Sequence, residues 1–190
     1  NFNIQVADGG PSAGCFSPGF FTRPVEQVAR ALLGARLVST VGGARTAGVI
    51  VETEAYGGAD DPASHAATRA GRTRRNATMF GPPSRAYVYR SYGMHWCVNV
   101  VTGAEGDAQA VLLRGLEPLE GEEDMGRRRH GRRPLAAGPG RLCEAMGIDG
   151  ALDHVLAEPP GGVDQDHLVE AGFGIDREHD SRPAKVGPHH

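Results

Sequence analysis

Apolar positions along the chain change their period several times. Val25, Val28, Ala29, Leu32 and Leu33 recur at the spacing of one helical face. Thr22 stands where an N-cap belongs, Pro24 sits in the first turn and Gly34 follows the last apolar position, so a helix is predicted at about 23–33. The period then shortens to two. Strands are predicted at about 36–41 and 45–54, joined at Gly42-Gly43, a glycine pair suited to a hairpin. Segment 57–84 has many Gly, Pro, Ala and Arg residues and little periodicity, and reads as a long functional loop with one short helix. Strands return at about 85–91, 95–102 and 109–116, with Tyr92-Gly93 turning the chain between the first two. A helix at about 139–146 carries Leu142, Cys143 and Met146 and closes at Gly147. No internal repeat is found. The fold class expected is α+β, a single domain with a curved, mostly antiparallel sheet and a few flanking helices. Residues 1–18 read as a flexible lead-in, 19–148 as the working domain and 149–190 as a divergent acidic tail for which no element is predicted.

Composition narrows the class. A chain of 190 residues suits one domain with a sizeable core. With 39% hydrophobic and 23% charged residues, wholesale disorder is excluded. No apolar run reaches the roughly 18 residues of a membrane span, and no basic stretch precedes an apolar one at the N-terminus. Neither membrane nor secretion is therefore expected, although the chain opens on Asn1 rather than Met, which leaves room for an earlier start. Cys15, Cys97 and Cys143 are scattered, form no paired motif and suggest a reducing compartment. Neither they nor the eight histidines have metal-ligand spacing, so no metal and no cofactor is expected. The bases are all Arg except Lys185, a bias that a GC-rich bacterial genome would give.

Charge changes the picture further. Residues 1–148 carry 17 bases and 14 acids, a net +3, whereas 149–190 carry 3 bases and 9 acids, a net −6. Arg69, Arg72, Arg74, Arg75, Arg85 and Arg90 occupy a stretch without a single acid, interleaved with Phe80, Tyr87 and Tyr89. Bases that meet phosphates beside rings that stack on nucleobases are the composition of a nucleic-acid surface. A second run, Arg127, Arg128, Arg129, Arg132 and Arg133, follows the acids from Glu117 to Asp124 and carries no such aromatics. Either run alone reads first as a solvated face.

Strand alternation puts Glu52, Glu54 and Tyr56 on one face. Taken alone, these two carboxylates are an exposed strand face more readily than an acid/base pair. Tyr87 and Tyr89 share a face of the next strand, Asn99 follows in the one after and Arg114 ends the last. Several strands delivering Glu, Tyr, Asn and Arg together point to one pocket. A polysaccharide hydrolase using Glu52 and Glu54 is a weaker reading, because Trp96 is the only Trp and strand parity turns it away from Asn99.

The order and spacing of Glu52-Thr53-Glu54-Ala55-Tyr56, Ser64-His65-Ala66, Arg75-Asn76, Met79-Phe80, Tyr87-Val88-Tyr89, Tyr92-Gly93-Met94, Cys97-Val98-Asn99, Val111-Leu112-Leu113-Arg114 and Leu116-Glu117-Pro118-Leu119-Glu120-Gly121 resemble the alkyladenine (3-methyladenine) DNA glycosylase family. Gly138-Pro139 and Arg141-Leu142-Cys143 extend the resemblance, which covers about 17–148. It implies an enzyme that flips a damaged purine out of double-stranded DNA and hydrolyses its glycosidic bond, working as a monomer in the cytoplasm at the nucleoid. By the resemblance, Glu54 is the general base and Arg114 holds the water and the catalytic group. Tyr56, His65, Tyr89 and Asn99 form the base pocket, with Asn99 placed against a guanine 2-amino group. Tyr92 is the wedge that enters the base stack, flanked by Met94 and His95. Arg72, Arg74 and Arg75 are expected at phosphates, and Glu52 carries no catalytic role. The segment with which the family usually completes its domain is not recognisable in 149–190, which keeps open a lesion-binding protein that cleaves poorly.

Overall fold

A computed structural model of the protein describes residues 2–5, 16, 18–58 and 71–157. Six strands are present among them: β1 (Phe2–Gln5), β2 (Arg36–Ser39), β3 (Thr46–Tyr56), β4 (Ala86–Ser91), β5 (His95–Thr102) and β6 (Gln109–Glu120). They form one sheet in the order β1-β2-β3-β6-β5-β4, and every pairing is antiparallel. Helices α1 (Pro18–Phe21), α2 (Val25–Ala31), α3 (Glu122–Arg128) and α4 (Pro139–Met146) flank it. This is the α+β single domain expected.

Alternation divides each strand between two layers. Ile50, Val88, Val98, Val100, Val111 and Leu113 point to one side, where Val25, Val28 and Leu32 near and in α2, with Leu142, Cys143 and Met146 of α4, bury against them. This is the principal core. Met79, Tyr87, Val101, Ala108 and Ala110 form a smaller cluster, with Tyr56, Phe80 and Tyr89 packed at its edge. The candidate pocket tyrosines, Tyr56 and Tyr89, lie with this second cluster. Trp96 packs on the principal core, opposite to Asn99, as parity predicts.

Several expectations need correction. The N-terminal residues are not simply a lead-in: Phe2–Gln5 is an edge strand paired with β2, and Phe2 and Ile4 are buried. Its signal is a four-residue alternation, too short to stand out. Phe16 stacks on Phe20 at 4.2 Å and is also buried. Thr22 does not cap α2. Its hydroxyl donates to the Gly19 carbonyl at 2.8 Å, and Pro24 occupies the N-cap position. The β2–β3 hairpin turns through a 3-10 segment, Val41–Gly43, whose glycines take φ of 70° and 78°. The short helix expected in 57–84 is the 3-10 turn Ala77–Phe80. Strand β6 runs on to Glu120 rather than ending near Arg114.

Helix α3 is a helix the periodicity missed, because Met125 is its only buried residue. Its order comes from charge: Glu122, Glu123 and Asp124 in the first turn, Arg127 and Arg128 in the last, which matches the helix dipole.

The start of the tail is structured too. A 3-10 turn at Gly150–Leu152 leads into a segment lying along β4. The Ala86 N–H donates to the Val155 carbonyl at 2.7 Å, the His154 N–H to the Ala86 carbonyl at 2.9 Å and the Ala157 N–H to the Ser84 carbonyl at 2.8 Å. The Ala157 carbonyl in turn accepts from the Ile4 N–H at 2.8 Å. Residues 153–157 therefore join the two outer strands, β1 and β4, and satisfy backbone groups that an open sheet leaves unpaired.

Candidate active site

The site begins with two irregularities in the β3–β6 pairing. Ile50 faces Leu116, Glu52 faces Gly115 and Thr53 faces Leu113. One residue is thus extra on β3, at Val51, and one on β6, at Arg114. Bulges of this kind re-aim side chains. Ile50 is fully buried in the principal core, so unbroken alternation would send Glu52 and Glu54 there with it. The bulge instead turns Glu52, Glu54 and Tyr56 to the other side. Thr53 fixes the new phase by donating its hydroxyl to the Ala29 carbonyl near the end of α2, at 2.9 Å.

The three charged residues meet there. Arg114 Nε donates to Glu52 Oε1 at 2.9 Å, and Arg114 Nη1 donates to Glu54 Oε2 at 2.5 Å. All three side chains are about one-third exposed, at 35%, 37% and 31% for Arg114, Glu52 and Glu54. They are accessible to a substrate and water yet partly removed from solvent. Burial works against the Arg114 charge, but hydrogen bonding to Glu52 and the charges of both carboxylates outweigh it and push its proton affinity above the ordinary value. The guanidinium is a fixed cation shared by two anions. The expectation that Glu52 and Glu54 share a face holds, and the solvated-face alternative does not describe a pair clamped by one arginine.

The pairing register sets Tyr87 opposite Asn99, Asn99 opposite Leu112 and Leu112 opposite Glu54. One row across four strands therefore runs from an aromatic residue to the carboxylate. Tyr87 and Tyr89 stack with ring centroids 5.3 Å apart. Burial pushes the Tyr87 hydroxyl up to about 12, with the Arg75 charge opposing. Tyr89 is also held well above its ordinary range, first by burial and then by the neighbouring Cys97, Tyr56 and Tyr87. Tyr56 shows the same direction: burial is the largest cause, followed by the Glu54 charge and a hydrogen bond to Glu54. All three tyrosines stay protonated at neutral pH and present neutral rings with a donor hydroxyl. Asn99 is buried, and its Nδ2 donates to the Tyr87 carbonyl at 3.1 Å. His65, and Arg69 of the first basic stretch, lie outside the described residues.

Tyr92 stands at the tip of the β4–β5 hairpin and is 92% exposed. Tyr92 and Gly93 both take positive φ, 50° and 69°, and the Met94 N–H donates to the Ser91 carbonyl at 3.0 Å. These are the features of a type I′ turn, which suits hairpins and lifts the first central side chain clear of the sheet. A tyrosine at that φ costs roughly 1 kcal/mol relative to glycine, so its presence is not a folding preference. Met94, 69% exposed, and the exposed His95 flank it.

Arg72, Arg74 and Arg75 are exposed on a loop that buried Asn76 organises. Asn76 Nδ2 donates to the Gly71 carbonyl at 2.8 Å, and its Oδ1 accepts from the Thr73 N–H at 2.6 Å. Arg75 donates to the Arg90 carbonyl and lies 5.9 Å over the Tyr89 ring. No carboxylate among the described residues pairs with these three arginines. The second arginine run differs. Arg127 pairs with Glu123 and Asp124, Arg129 and Arg132 with Glu144, and Arg133 with Glu122. Arg128 donates to the Val41 and Ala145 carbonyls. Every arginine of that run is thus engaged by a partner within the chain, although Arg127, Arg132 and Arg133 stay largely exposed.

Two further residues contribute, to neither of which sequence reading gave a role: Cys97 within the Cys97-Val98-Asn99 motif and Asp153 outside every motif. Cys97 lies opposite Tyr89 in the pairing, accepts a hydrogen bond from it and is raised mainly by burial. Asp153 reaches the site from the tail: its Oδ1 accepts from the Val88 N–H at 3.0 Å and its Oδ2 from the Thr78 hydroxyl at 2.9 Å. Nothing local in a Gly/Asp-rich segment announces such a long-range contact. No group of His, Cys, Asp or Glu among the described residues could hold a metal ion. No helix among them is long and apolar enough to cross a membrane.

Residues 19–180 match the methylpurine-DNA glycosylase (MPG) family. Relatives from three bacteria bear the name "Putative 3-methyladenine DNA glycosylase". That of Granulibacter bethesdensis is 52% identical over 84% of this chain and 77% of its own length. That of Rhodopseudomonas palustris is 50% identical over 79% and 74%, respectively. That of Burkholderia cenocepacia is 53% identical over 72% and 65%. The chain belongs to the methylpurine-DNA glycosylase family, and its class is that of a DNA glycosylase. The family match continues past residue 148, where the recognisable motifs stop, so the acidic tail is not wholly foreign to it.

Proposed function

We propose that this protein hydrolyses the N-glycosidic bond of alkylated or deaminated purines in double-stranded DNA, including 3-methyladenine, 7-methylguanine and hypoxanthine. The carrying observation is the Glu54 carboxylate, 2.5 Å from Arg114 at the end of a row of strands bearing Tyr87 and Asn99.

A base cannot be released while it is stacked in the duplex, and extruding it costs a few kcal/mol. Tyr92 enters the vacated stack and holds the duplex open. Arg72, Arg74 and Arg75 meet phosphates and set the register of the DNA. The extruded purine lies between Tyr56 and Tyr89, whose ring faces attract the positive charge of an alkylated base. Glu54 takes a proton from water as its oxygen attacks the deoxyribose C1′. The C1′–N bond breaks and the purine leaves with the bonding pair. The carboxylate also stabilises the developing oxocarbenium charge. Arg114 fixes Glu54 and offers remaining N–H groups to that water. Release stops at the abasic site: the chain's single lysine, Lys185, is remote in sequence from every motif residue, leaving no evident amine for a Schiff base. The names of the relatives support the substrate class.

The test is duplex DNA carrying one defined lesion, scored for free base and for abasic sites. Glu54→Gln should slow single-turnover excision at least about a hundredfold while lesion binding survives. Loss of cleavage in Glu52→Gln but not in Glu54→Gln would move the base to Glu52. A wild-type protein that binds lesions and releases no base would establish the binding-only reading.

A further inference from the structure

Strand β4 carries Tyr87 and Tyr89 and is the last strand of the sheet on its side. Its outward N–H groups therefore have no strand to pair with. Val88 lies between the two tyrosines, and its N–H is satisfied by a side chain from a distant part of the chain, Asp153 Oδ1 at 3.0 Å. The second oxygen of the same carboxylate accepts from Thr78, at 2.9 Å. Thr78 is buried in the Ala77–Phe80 turn, whose Met79 and Phe80 pack in the cluster with Tyr87 and Tyr89. The His154 ring lies within 3.0 Å of the Thr78 hydroxyl as well. One carboxylate thus ties the strand beneath the stacked rings to the turn beside them. The backbone bonds of His154 and Val155 to Ala86, and of Ala157 to Ser84 and Ile4, hold the segment that follows it in place.

We propose that Asp153 is a positioning residue for the aromatic wall, holding Tyr87 and Tyr89 in the orientation that receives the extruded base. This rests on the functional reading above and deepens it. The carboxylate does not touch the base; it acts through the backbone of Val88 and through Thr78. Pre-ordering matters because an extruded base must find its stacking partner already in place, or the ordering cost is taken from the flipping equilibrium. Losing the two-oxygen clasp should therefore lower that equilibrium about fivefold to tenfold, the scale of a net hydrogen-bond contribution.

The experiment uses the full chain carrying Glu54→Gln to prevent cleavage, with hypoxanthine duplex bearing 2-aminopurine beside the lesion. Extrusion is read from 2-aminopurine fluorescence. Affinity is compared with a duplex containing a tetrahydrofuran abasic analogue, which offers no base to the wall. Asp153→Ala should lower the extrusion signal and the hypoxanthine affinity about fivefold to tenfold and leave abasic-analogue affinity unchanged. Asp153→Asn keeps an acceptor for Val88 and should retain most of the signal. Thr78→Val removes half of the clasp at nearly constant volume and serves if Asp153→Ala does not fold; it should lower extrusion in the same sense. Reduced thermal stability with an unchanged extrusion signal would overturn the proposal and leave Asp153 as a fold contact. Equal losses on both duplexes would also overturn it. Absence of any extrusion signal in the parent protein would overturn the functional reading itself.

Discussion

The proposed function makes Asn99 the residue on which selectivity would turn. Its buried amide is fixed by the 3.1 Å hydrogen bond to the Tyr87 carbonyl, so the side chain cannot readily swing aside. A 2-amino group on the purine edge would meet a pinned obstacle. Guanine alone among the normal purines carries that group. Adenine lacks it and, on the proposed reading, would be spared because, neutral and well paired, it flips and leaves poorly. Hypoxanthine also lacks it, and cationic alkylpurines would leave through their weakened glycosidic bonds. Asn99→Ser should raise excision of mispaired guanine relative to hypoxanthine by about tenfold, the scale of one removed steric conflict. Stability should fall by about 1 kcal/mol because the Tyr87 carbonyl loses its side-chain donor, so the ratio of the two rates is the measurement to make. An unchanged ratio would make Asn99 a sheet contact only. At this scale the sequence made placement legible where a motif carried the residue: Glu54 and Arg114 meet, Tyr56 and Tyr89 pack at the edge of one cluster, and Tyr92 stands exposed at a hairpin tip. It was silent on what Glu52 does, because the bulges at Val51 and Arg114 that bring both carboxylates to one guanidinium follow from strand pairing and leave no local mark.

Two arginine-rich elements that look alike as strings of letters have opposite fates. In the loop before the Ala77–Phe80 turn, Asn76 gathers the backbone inward and leaves Arg72, Arg74 and Arg75 pointing out. In and after α3, the arginines turn to Glu122, Glu123 and Asp124 on the same helix and to Glu144 on α4. Glu144 is partly desolvated, which raises its proton affinity, but hydrogen bonding and charge from Arg129, with Arg132, outweigh that and keep it below the usual carboxylate range. Sequence reading could separate the runs only by the aromatics interleaved in the first, since the Glu144 partner lies on another helix. Phosphate contacts should therefore come from the first element alone. Arg72→Ala should reduce the slope of log affinity against log salt by about 0.9, one counterion-releasing contact. Arg132→Ala, whose partner is internal, should leave the slope unchanged. Affinity for duplex DNA measured across a salt series decides it: equal slopes for wild type and Arg72→Ala would return that loop to a merely solvated face.

At the scale of the molecule, the organising fact is that the six-stranded sheet does not end at its edges. β1 and β4 are the outermost strands, yet one short segment bonds to both: Ala157 accepts from Ile4 of β1, and His154 and Val155 bond to Ala86 of β4. The antiparallel sheet and the core helices were legible because long apolar alternations and a helical stripe encode them. The closure was not, because a strand of four residues and a tail segment of five draw their order from each other rather than from periodicity. Closure also explains why the tail's composition misleads: residues 153–157, Asp-His-Val-Leu-Ala, dock through backbone groups, the Asp153 carboxylate and the buried Ala157, and a segment so short is hidden by the acidic sequence around it. The two ends of the sheet should therefore lose protection together. Ala157→Pro removes the N–H that bonds Ser84 and fixes φ at a buried position, and should cost about 3 kcal/mol. In urea it should lower the unfolding midpoint, and in native-state hydrogen exchange the Ile4 and Ala86 amides should both become faster, although they belong to opposite edges. If Ile4 kept its protection while Ala86 lost it, β1 would be held by β2 alone and the sheet would be open. If both accelerate while the β3 and β6 amides stay protected, the short tail segment is the seam on which the edges depend. The aromatic wall on β4 would then owe its order to residues more than sixty positions further along the chain, from Val88 to Asp153.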